Sequence, residues 1–97
     1  MIVGSLRLRL LLREARSLKD KRQVVKSIKD RLRQAFNVSV AEIDSQENRQ
    51  VAVLGVALVG GDVAHVQHTL QQIVEGLRRH PIAELVDHEL DVSRSFS

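Results

Sequence analysis

Apolar and polar residues alternate with a period of two at the start of the chain. Apolar side chains take the even positions from Ile2 to Leu12, interrupted only by Gly4, while Arg7 and Arg9 stand among the odd positions. Successive side chains of a strand point to opposite faces, so this pattern predicts a half-buried β-strand with two arginines on its polar face.

The next segment repeats its apolar residues mostly at intervals of three and four, which predicts a helix that ends at about Phe36. Its apolar residues are Leu18, Val25, Ile28, Leu32, Ala35 and Phe36. Ser17 with Asp20 three positions later is close to a capping box. Lys21 falls on the apolar side in the first turn, so we expect its ammonium either to reach past the sheet edge or to meet a carboxylate.

Two further strands are predicted after this helix. The second strand begins at Val38, and its phase slips near Ala41, because Ile43 falls on the opposite parity, which predicts a β-bulge. A polar stretch over 44–50 leads into a third strand, Val51 to Val59, which is rich in β-branched residues. The two strands are predicted to form a hairpin.

A second helix and a last strand complete the pattern. Asp62 is the predicted cap of this helix, and Pro81 ends it. The apolar side of the helix consists of Val63, Val66, Leu70, Ile73, Val74 and Leu77. In the last strand Val86, Leu90 and Val92 alternate with Asp87, Glu89 and Asp91. We expect residues 93–97 to form a flexible tail.

The predicted order βαββαβ over 97 residues fits one α+β domain, residues 1–97, of ferredoxin-like architecture. Such a domain has a four-stranded antiparallel sheet of order 4-1-3-2 with both helices on one face. The first strand then lies beside the last. Its two arginines lie near the three carboxylates of the last strand, those of Asp87, Glu89 and Asp91. They form cross-strand ion pairs, or the uncovered face receives a ligand or a second subunit. The candidate interface residues are Arg7, Arg9, Val51, Val53 and Ala57.

Composition excludes several classes of protein. The chain is 43% hydrophobic and 28% charged, as in an ordinary globular protein. Its longest apolar run is far shorter than the roughly 20 residues of a membrane-spanning helix, and the early arginines do not fit a signal peptide. We therefore expect a cytoplasmic protein without a membrane partner. The absence of cysteine excludes disulfides, thiol nucleophiles and thiolate metal sites.

Charge is distributed unevenly along the chain. The first 33 positions hold eleven of the fifteen basic residues but three of the twelve acidic ones, a net charge of +8, whereas residues 34–97 carry −5. Five of these cations fall within a sector of about 80° on the predicted first helix. They are Lys19, Arg22, Lys26, Lys29 and Arg33. This stripe is a candidate site for a polyanion such as RNA or the ribosome, or it is simply a solvated helix face.

Aromatic residues make up only 2% of the chain, which limits how it could recognise RNA. Sheets that read single-stranded RNA stack bases on aromatic side chains of their middle strands. Phe36 and Phe96 are the only aromatics, and neither lies on a predicted middle strand. Any RNA recognition is therefore predicted to depend on phosphate and shape.

No arrangement of residues predicts an enzyme or a cofactor. His65 and His68 lie three apart on the second helix but opposite its apolar side, with no carboxylate at i+4, so no metal site is predicted. His88 is expected to lie at the edge of the core with one hydrogen bond. The connection after the first strand lacks the glycines of a phosphate-binding loop. We predict no catalytic residues; a homodimer or another protein partner on the open sheet face stays an alternative.

Three runs of the chain resemble one family. Residues 15–22 (ARSLKDKR), 36–42 (FNVSVAE) and 54–57 (LGVA) are similar to those of the YlxP-like proteins, and the similarity extends over nearly the whole chain. The resemblance implies a ferredoxin-like fold in a cytoplasmic bacterial protein, often encoded beside genes of translation and ribosome maturation. It implies no activity and no catalytic or binding residues.

Overall fold

A computed structural model describes residues 1–96 and contains the six predicted elements in the predicted order. They are β1 (Ile2–Leu11), α1 (Leu18–Ala35), β2 (Ser39–Asp44), β3 (Val51–Gly60), α2 (Val63–Arg78) and β4 (Glu84–Arg94). The α+β class is therefore confirmed. Neither of the two helices in this range has the length and apolar content to cross a membrane.

The strands form one antiparallel sheet with the order β2-β3-β1-β4. This is the predicted order read from the other end, so the predicted topology of the sheet is confirmed. β1 and β3 are the two central strands, and β2 and β4 are the edges. Because β1 is central, its even residues lie at the middle of the domain.

Both helices pack on the face of the sheet that carries the even residues of β1. Val25, Ile28 and Leu32 of α1 and Leu70 and Ile73 of α2 join the buried side chains of β1 and β3 in one apolar cluster. Gly4 allows α2 to approach β1 closely, since a Cβ added there would lie 2.5 Å from a methyl group of Val66. Within residues 1–96 the other face of the sheet carries no helix, and we call it the open face.

The start of α1 follows the predicted capping pattern with one difference. The Ser17 hydroxyl accepts a hydrogen bond from the main-chain N–H of Asp20 at 3.1 Å. The Asp20 carboxylate accepts from the N–H of Arg16 at 3.0 Å rather than from that of Ser17. α1 ends at Ala35, one residue before the predicted end.

The predicted bulge in β2 is confirmed. The pairing of β2 with β3 shifts between Glu42 and Asp44, which leaves Ile43 as the extra residue. Ile43 lies over Gly55 on the open face, since a Cβ added at Gly55 would come within 3.0 Å of the Ile43 side chain. The small residue on β3 therefore leaves room for the bulged isoleucine.

A second bulge, in β4, was not predicted from the sequence. The pairing with β1 shifts so that Leu85 lies opposite Leu10 and Asp87 opposite Arg9. The extra residue is Val86, which is 42% exposed, so its predicted place on the apolar side of the strand is wrong. Val63, also predicted to face the core, is exposed in the first turn of α2.

The predicted C-terminal tail begins later than expected. β4 continues to Arg94, and the N–H of Ser95 donates to the carbonyl of Met1 at 2.8 Å. The prediction of a tail from residue 93 is therefore wrong for residues 93–95, because main-chain pairing with the start of β1 holds them. Ser97 lies outside the described residues.

Candidate nucleic-acid interface

The predicted basic stripe lies on the flank of α1 that borders β2. Arg33 defines this side, because its guanidinium donates to the main-chain carbonyl of Val40 at 2.8 Å. Lys19, Arg22 and Lys26 are exposed, and Lys29 is half-buried. The helix therefore presents these cations beside an edge of the sheet and away from α2.

Two cations of the stripe are paired with an acid of the same helix. The Asp30 carboxylate lies 2.7 Å from the Lys26 ammonium and 3.8 Å from the Arg33 guanidinium. The hydrogen bond from Lys26 is the main reason that the pKa of Asp30 is lower than its usual value. The predicted stripe of five cations therefore includes two that are already paired, Lys26 and Arg33, because Asp30 stands at i+4 and i−3 to them.

The other three cations of the stripe have no acidic partner among the described residues. Within residues 1–96, no carboxylate lies within 4 Å of the charged groups of Lys19, Arg22 or Lys29. We call these three residues the α1 patch. It is smaller than the predicted stripe and lies mainly on the first half of the helix.

Lys21 is the most buried charged residue of the described chain, with 1% of its surface exposed. Its ammonium lies 2.7 Å from the Glu42 carboxylate, as one of our two expectations for this residue predicted. It also donates to the main-chain carbonyls of Ser45 and Asn48, both at 2.7 Å. These contacts offset the large cost of removing an ammonium from water.

The contact with Glu42 is an ion pair rather than an aligned hydrogen bond. The buried carboxylate oxygen of Glu42 has no hydrogen-bond partner of good geometry within residues 1–96, although the Lys21 ammonium lies 2.7 Å away. The hydrogen bonds of the ammonium go to carbonyls of the loop between β2 and β3, those of Ser45 and Asn48 and, at 3.5 Å, that of Gln46. Lys21 therefore holds this hairpin loop to the first turn of α1.

Local contacts fix the hairpin loop as well. Ser45 has a positive φ of 59°, and its N–H donates to the Asp44 carboxylate at 2.7 Å. The Asn48 side chain accepts from the N–H of Gln50 at 2.9 Å, and the Gln50 side chain donates to the Arg13 carbonyl at 3.1 Å. The loop is thus tied to α1 through Lys21 and to the end of β1 through Gln50.

A groove of about 1060 Å³ runs between the start of α1 and this loop. Arg16 and Arg49 line it, and neither has an acidic partner within 4 Å among residues 1–96. Asp44 and Glu47 line the same groove. Because the acids balance the two arginines, the groove has no excess positive charge of its own.

The open face combines one ion pair with a shallow apolar groove. The Arg7 guanidinium lies 2.8 Å from the Glu89 carboxylate, which confirms the predicted cross-strand pairing for Arg7. Arg9 lies opposite Asp87 in register but makes no ion pair within 4 Å among residues 1–96. The groove, of about 640 Å³, has Gly55 and Ala57 among its lining residues.

The three apolar residues of the candidate interface, Val51, Val53 and Ala57, are only partly exposed to water. Val53 is 3% exposed although it lies on the open face, between Arg9 and Asp44 in register. Val51 is half-buried and Ala57 is exposed. The bulge in β2 accounts for part of this burial, since it places both Ile43 and Asp44 on the open face.

The chain matches a family model over residues 3–90, and the model is described as a protein of unknown function, DUF503. This chain belongs to the DUF503 family. It is 31% identical over 83 residues to the uncharacterized protein YlxP of Bacillus subtilis (strain 168), an alignment that covers 86% of this chain and 90% of that protein. The resemblance to YlxP-like proteins is thereby confirmed.

The fold of the DUF503 chain is similar to that of a solved structure, the de novo designed protein Foldit4. The two superpose with a TM-score of 0.54 over 97% of each chain, at 18% sequence identity. A similarity at this level of identity supports the architecture alone. The comparisons therefore give a family and a fold, and they leave the activity open.

The geometry divides the DUF503 chain's run 15–22 into two groups of residues. Ser17 and Asp20 cap α1, and Lys21 anchors the hairpin loop. The side chains of Lys19 and Arg22 make no hydrogen bond or ion pair within residues 1–96. Helical periodicity predicts this difference for the three cations of α1 in the run. Lys21 lies on the apolar side of the helix, whereas Lys19 and Arg22 do not.

The four histidines lie on α2, in the turn after it and on β4. His65 and His68 are exposed on α2, and residues 1–96 contain no group of three or more His, Cys, Asp or Glu side chains placed to hold a metal ion. His88 is half-buried at the edge of the core, as predicted. The hydrogen bond expected for it is not found among residues 1–96.

His80 has a structural role that the sequence did not indicate. Its Nδ1 accepts hydrogen bonds from the main-chain N–H groups of Ile82 at 3.2 Å and Ala83 at 2.9 Å. Partial burial, together with the positive charge of Arg31, lowers the pKa of His80 below its usual value. An imidazole that accepts at Nδ1 is neutral there, so His80 caps the turn after α2 rather than supplying a cation to the helix end.

Proposed function

We propose that this protein is a non-catalytic cytoplasmic module that binds the phosphate backbone of RNA through the α1 patch. The observation that carries the proposal is a contrast within one helix. Lys19, Arg22 and Lys29 have no acidic partner within 4 Å among residues 1–96, while Lys26 and Arg33 share Asp30. A free cation that contacts an RNA phosphate displaces the counterions held there, whereas a paired cation must first leave its carboxylate. We also propose that the fold is ferredoxin-like, from its element order and strand order.

The distribution of aromatic residues supports recognition of phosphate rather than of bases. Phe36 packs against the apolar core, and Phe96 follows the last strand. The central strands β1 and β3 carry no aromatic residue on which a base could stack. From Lys19 to Lys29 the patch extends about 15 Å along the helix axis. A single-stranded or duplex RNA of about a dozen nucleotides is a sufficient probe.

The test compares two triple variants with equal changes in net charge. The first replaces the patch, as Lys19→Gln, Arg22→Gln and Lys29→Gln. The control replaces three exposed cations outside α1, as Arg9→Gln, Arg79→Gln and Arg94→Gln. RNA affinity is measured by fluorescence anisotropy over a series of salt concentrations. Circular dichroism verifies that both variants fold.

The patch variant should bind more weakly and with a shallower dependence on salt. Each lost contact to a single strand lowers the slope of log affinity against log salt by about 0.7, so three contacts lower it by about 2. The control should retain most of the slope. Equal losses in the two variants would mean that net charge alone attracts RNA, and the proposed site would be wrong.

The open face is a second candidate, since its groove of about 640 Å³ could receive another protein or a second copy of the chain. Ala57→Arg would fill the groove, and Ala64→Arg makes the same change at an exposed position of α2. If this face binds a second copy, the molar mass from light scattering should fall only in Ala57→Arg. A wild-type monomer at all concentrations would leave RNA binding as the preferred function and exclude the homodimer.

A further inference from the structure

The two edges of the sheet differ in how their main-chain groups are covered. On β2, the carbonyl of Val40 accepts from the Arg33 guanidinium at 2.8 Å, and the carbonyl of Glu42 accepts from the Gln46 side chain at 3.1 Å. Carbonyls two residues apart in a strand point the same way, so these two belong to one edge. Side chains thus occupy positions that an added strand would need.

β4 has no such cover among residues 1–96. No side chain in that range hydrogen-bonds to a main-chain group of Glu84–Arg94. Beyond the bulge at Val86, residues 87–94 pair with β1 without interruption. Every second residue of this stretch therefore directs its N–H and C=O away from β1, where an edge strand can pair with another chain.

The side chains of β4 specify which segment would pair there. On the open face, Asp87 and Asp91 have no cation within 4 Å among residues 1–96, and Glu89 is held by Arg7. On the helix face, Leu90 and Val92 are half-buried at the border of the apolar cluster. An added strand would lie beside carboxylates on one face and beside incompletely covered apolar side chains on the other.

We propose that the outer edge of β4 binds an extended segment of a partner protein in which basic and apolar residues alternate. The basic residues would lie on the open face beside Asp87 and Asp91, and the apolar residues would cover Leu90 and Val92. β1 shows the same match on the inner side of β4, since it alternates leucine with arginine and pairs Arg7 with Glu89 at 2.8 Å. Main-chain pairing supplies affinity, and the alternating side chains supply specificity.

A second copy of the chain does not meet this requirement through the same edge. If two β4 strands paired antiparallel about Glu89, that residue would lie opposite its own copy, and Asp87 would lie opposite Asp91. Like charges directly opposite one another destabilise a strand pair. The acidic residues therefore disfavour pairing between copies and favour a basic partner.

The probe is a synthetic eight-residue peptide that alternates lysine and valine, with a peptide that alternates glutamate and valine as its control. Amide hydrogen exchange of the full chain is followed by NMR with and without each peptide. The lysine peptide at saturation should slow exchange about tenfold or more at every second amide of residues 87–94, because those amides become hydrogen-bonded. Amides of β2 should be unchanged.

A variant separates strand addition from charge attraction. Asp87→Asn with Asp91→Asn should weaken binding of the lysine peptide about three- to tenfold, as expected for the loss of two exposed ion pairs. The matched control, Glu47→Gln with Glu75→Gln, removes two carboxylates on the hairpin loop and α2 and should leave binding unchanged. Both variants keep the volume of the side chains, so folding is preserved.

Four results would overturn the proposal. One is slowed amide exchange in residues 87–94 without the alternating pattern, and another is equal binding of the glutamate and lysine peptides. The third is equal weakening of lysine-peptide binding by the two double variants. The fourth is a change in the NMR chemical shifts of Ala57 without slowed amide exchange in β4, which would place the peptide in the open-face groove instead. None of these results depends on RNA binding by α1.

Discussion

Two ion pairs of this molecule have the same chemistry in different surroundings. Lys21 and Glu42 expose 1% and 16% of their side chains, whereas Lys26 and Asp30 expose 75% and 43%, and both pairs have a distance of 2.7 Å. The buried pair joins a helix to a hairpin loop, while the exposed pair joins two turns of one helix. The comparison teaches that burial, rather than distance, decides whether a charge serves the fold or is available to a partner.

The largest expected effect is that of Lys21→Met. The change leaves the Glu42 carboxylate without its cation and the acceptor carbonyls of the hairpin loop without their donor. Breaking a buried pair in this way costs about 3 to 5 kcal/mol of the free energy of unfolding. Because Glu42 is not fully buried, we expect a value near the lower end of that range. Urea unfolding at neutral pH gives the measurement.

Two further variants sharpen this prediction. Lys19→Met changes an exposed lysine of the same turn and should alter stability by less than about 0.5 kcal/mol. Lys21→Met combined with Glu42→Leu removes both charges and should recover more than about 1 kcal/mol of the loss. A cost below about 1 kcal/mol for Lys21→Met alone would contradict the assigned role of the buried pair.

Lys21 also marks the limit of what the sequence could predict. Helical periodicity placed it on the apolar side, because one face of a helix repeats at fixed intervals, and it left two outcomes, an ammonium that reaches past the sheet edge or one that meets a carboxylate. The carbonyls of Ser45 and Asn48 were not predictable, since they depend on the path of a loop far along the chain. Elements and strand order follow from local patterns, whereas such contacts follow from tertiary packing.

The same distinction explains the errors. The bulge at Val86 was not predicted because the strand pattern looks the same with or without it. Both arrangements place apolar residues of β4 on the helix face of the sheet, and in the structure Leu85 takes the place predicted for Val86. The pairing of Asp30 with Lys26 and Arg33 was readable from the spacing, but the stripe was predicted from cations alone. The α1 patch is what remains when such neighbours are included.

An intermediate effect is expected at His80, which is half-buried. Because its pKa is lower in the folded protein, the unfolded chain binds more protons between that pKa and the ordinary value of 6.5. The contribution of His80 is therefore full above pH 6.5 and decreases as the pH falls through its folded pKa.

His80→Ala removes both hydrogen bonds at Nδ1 and should cost about 1 kcal/mol at neutral pH, measured by urea unfolding. His80→Asn keeps an acceptor that does not titrate, so it should retain more of this stability and flatten the pH dependence between the folded pKa and 6.5. A wild-type profile that is unchanged by His80→Asn would show that the imidazole does not titrate with folding.

The smallest effect on stability is expected at the exposed pair, in Asp30→Asn. The lowered pKa of Asp30 means that its carboxylate favours folding above its usual pKa of 3.8, and this contribution is lost as the pH falls through the folded value. At pH 7 the variant should differ from the wild type less than Lys21→Met or His80→Ala does. The difference should shrink as the pH falls below 3.8, measured by urea unfolding at a series of pH values. RNA binding should become stronger and more dependent on salt. Freeing Lys26 for a phosphate contact would steepen the slope of log affinity against log salt by about 0.7. An unchanged slope, with Lys26→Gln equally silent, would confine the RNA contacts to the α1 patch.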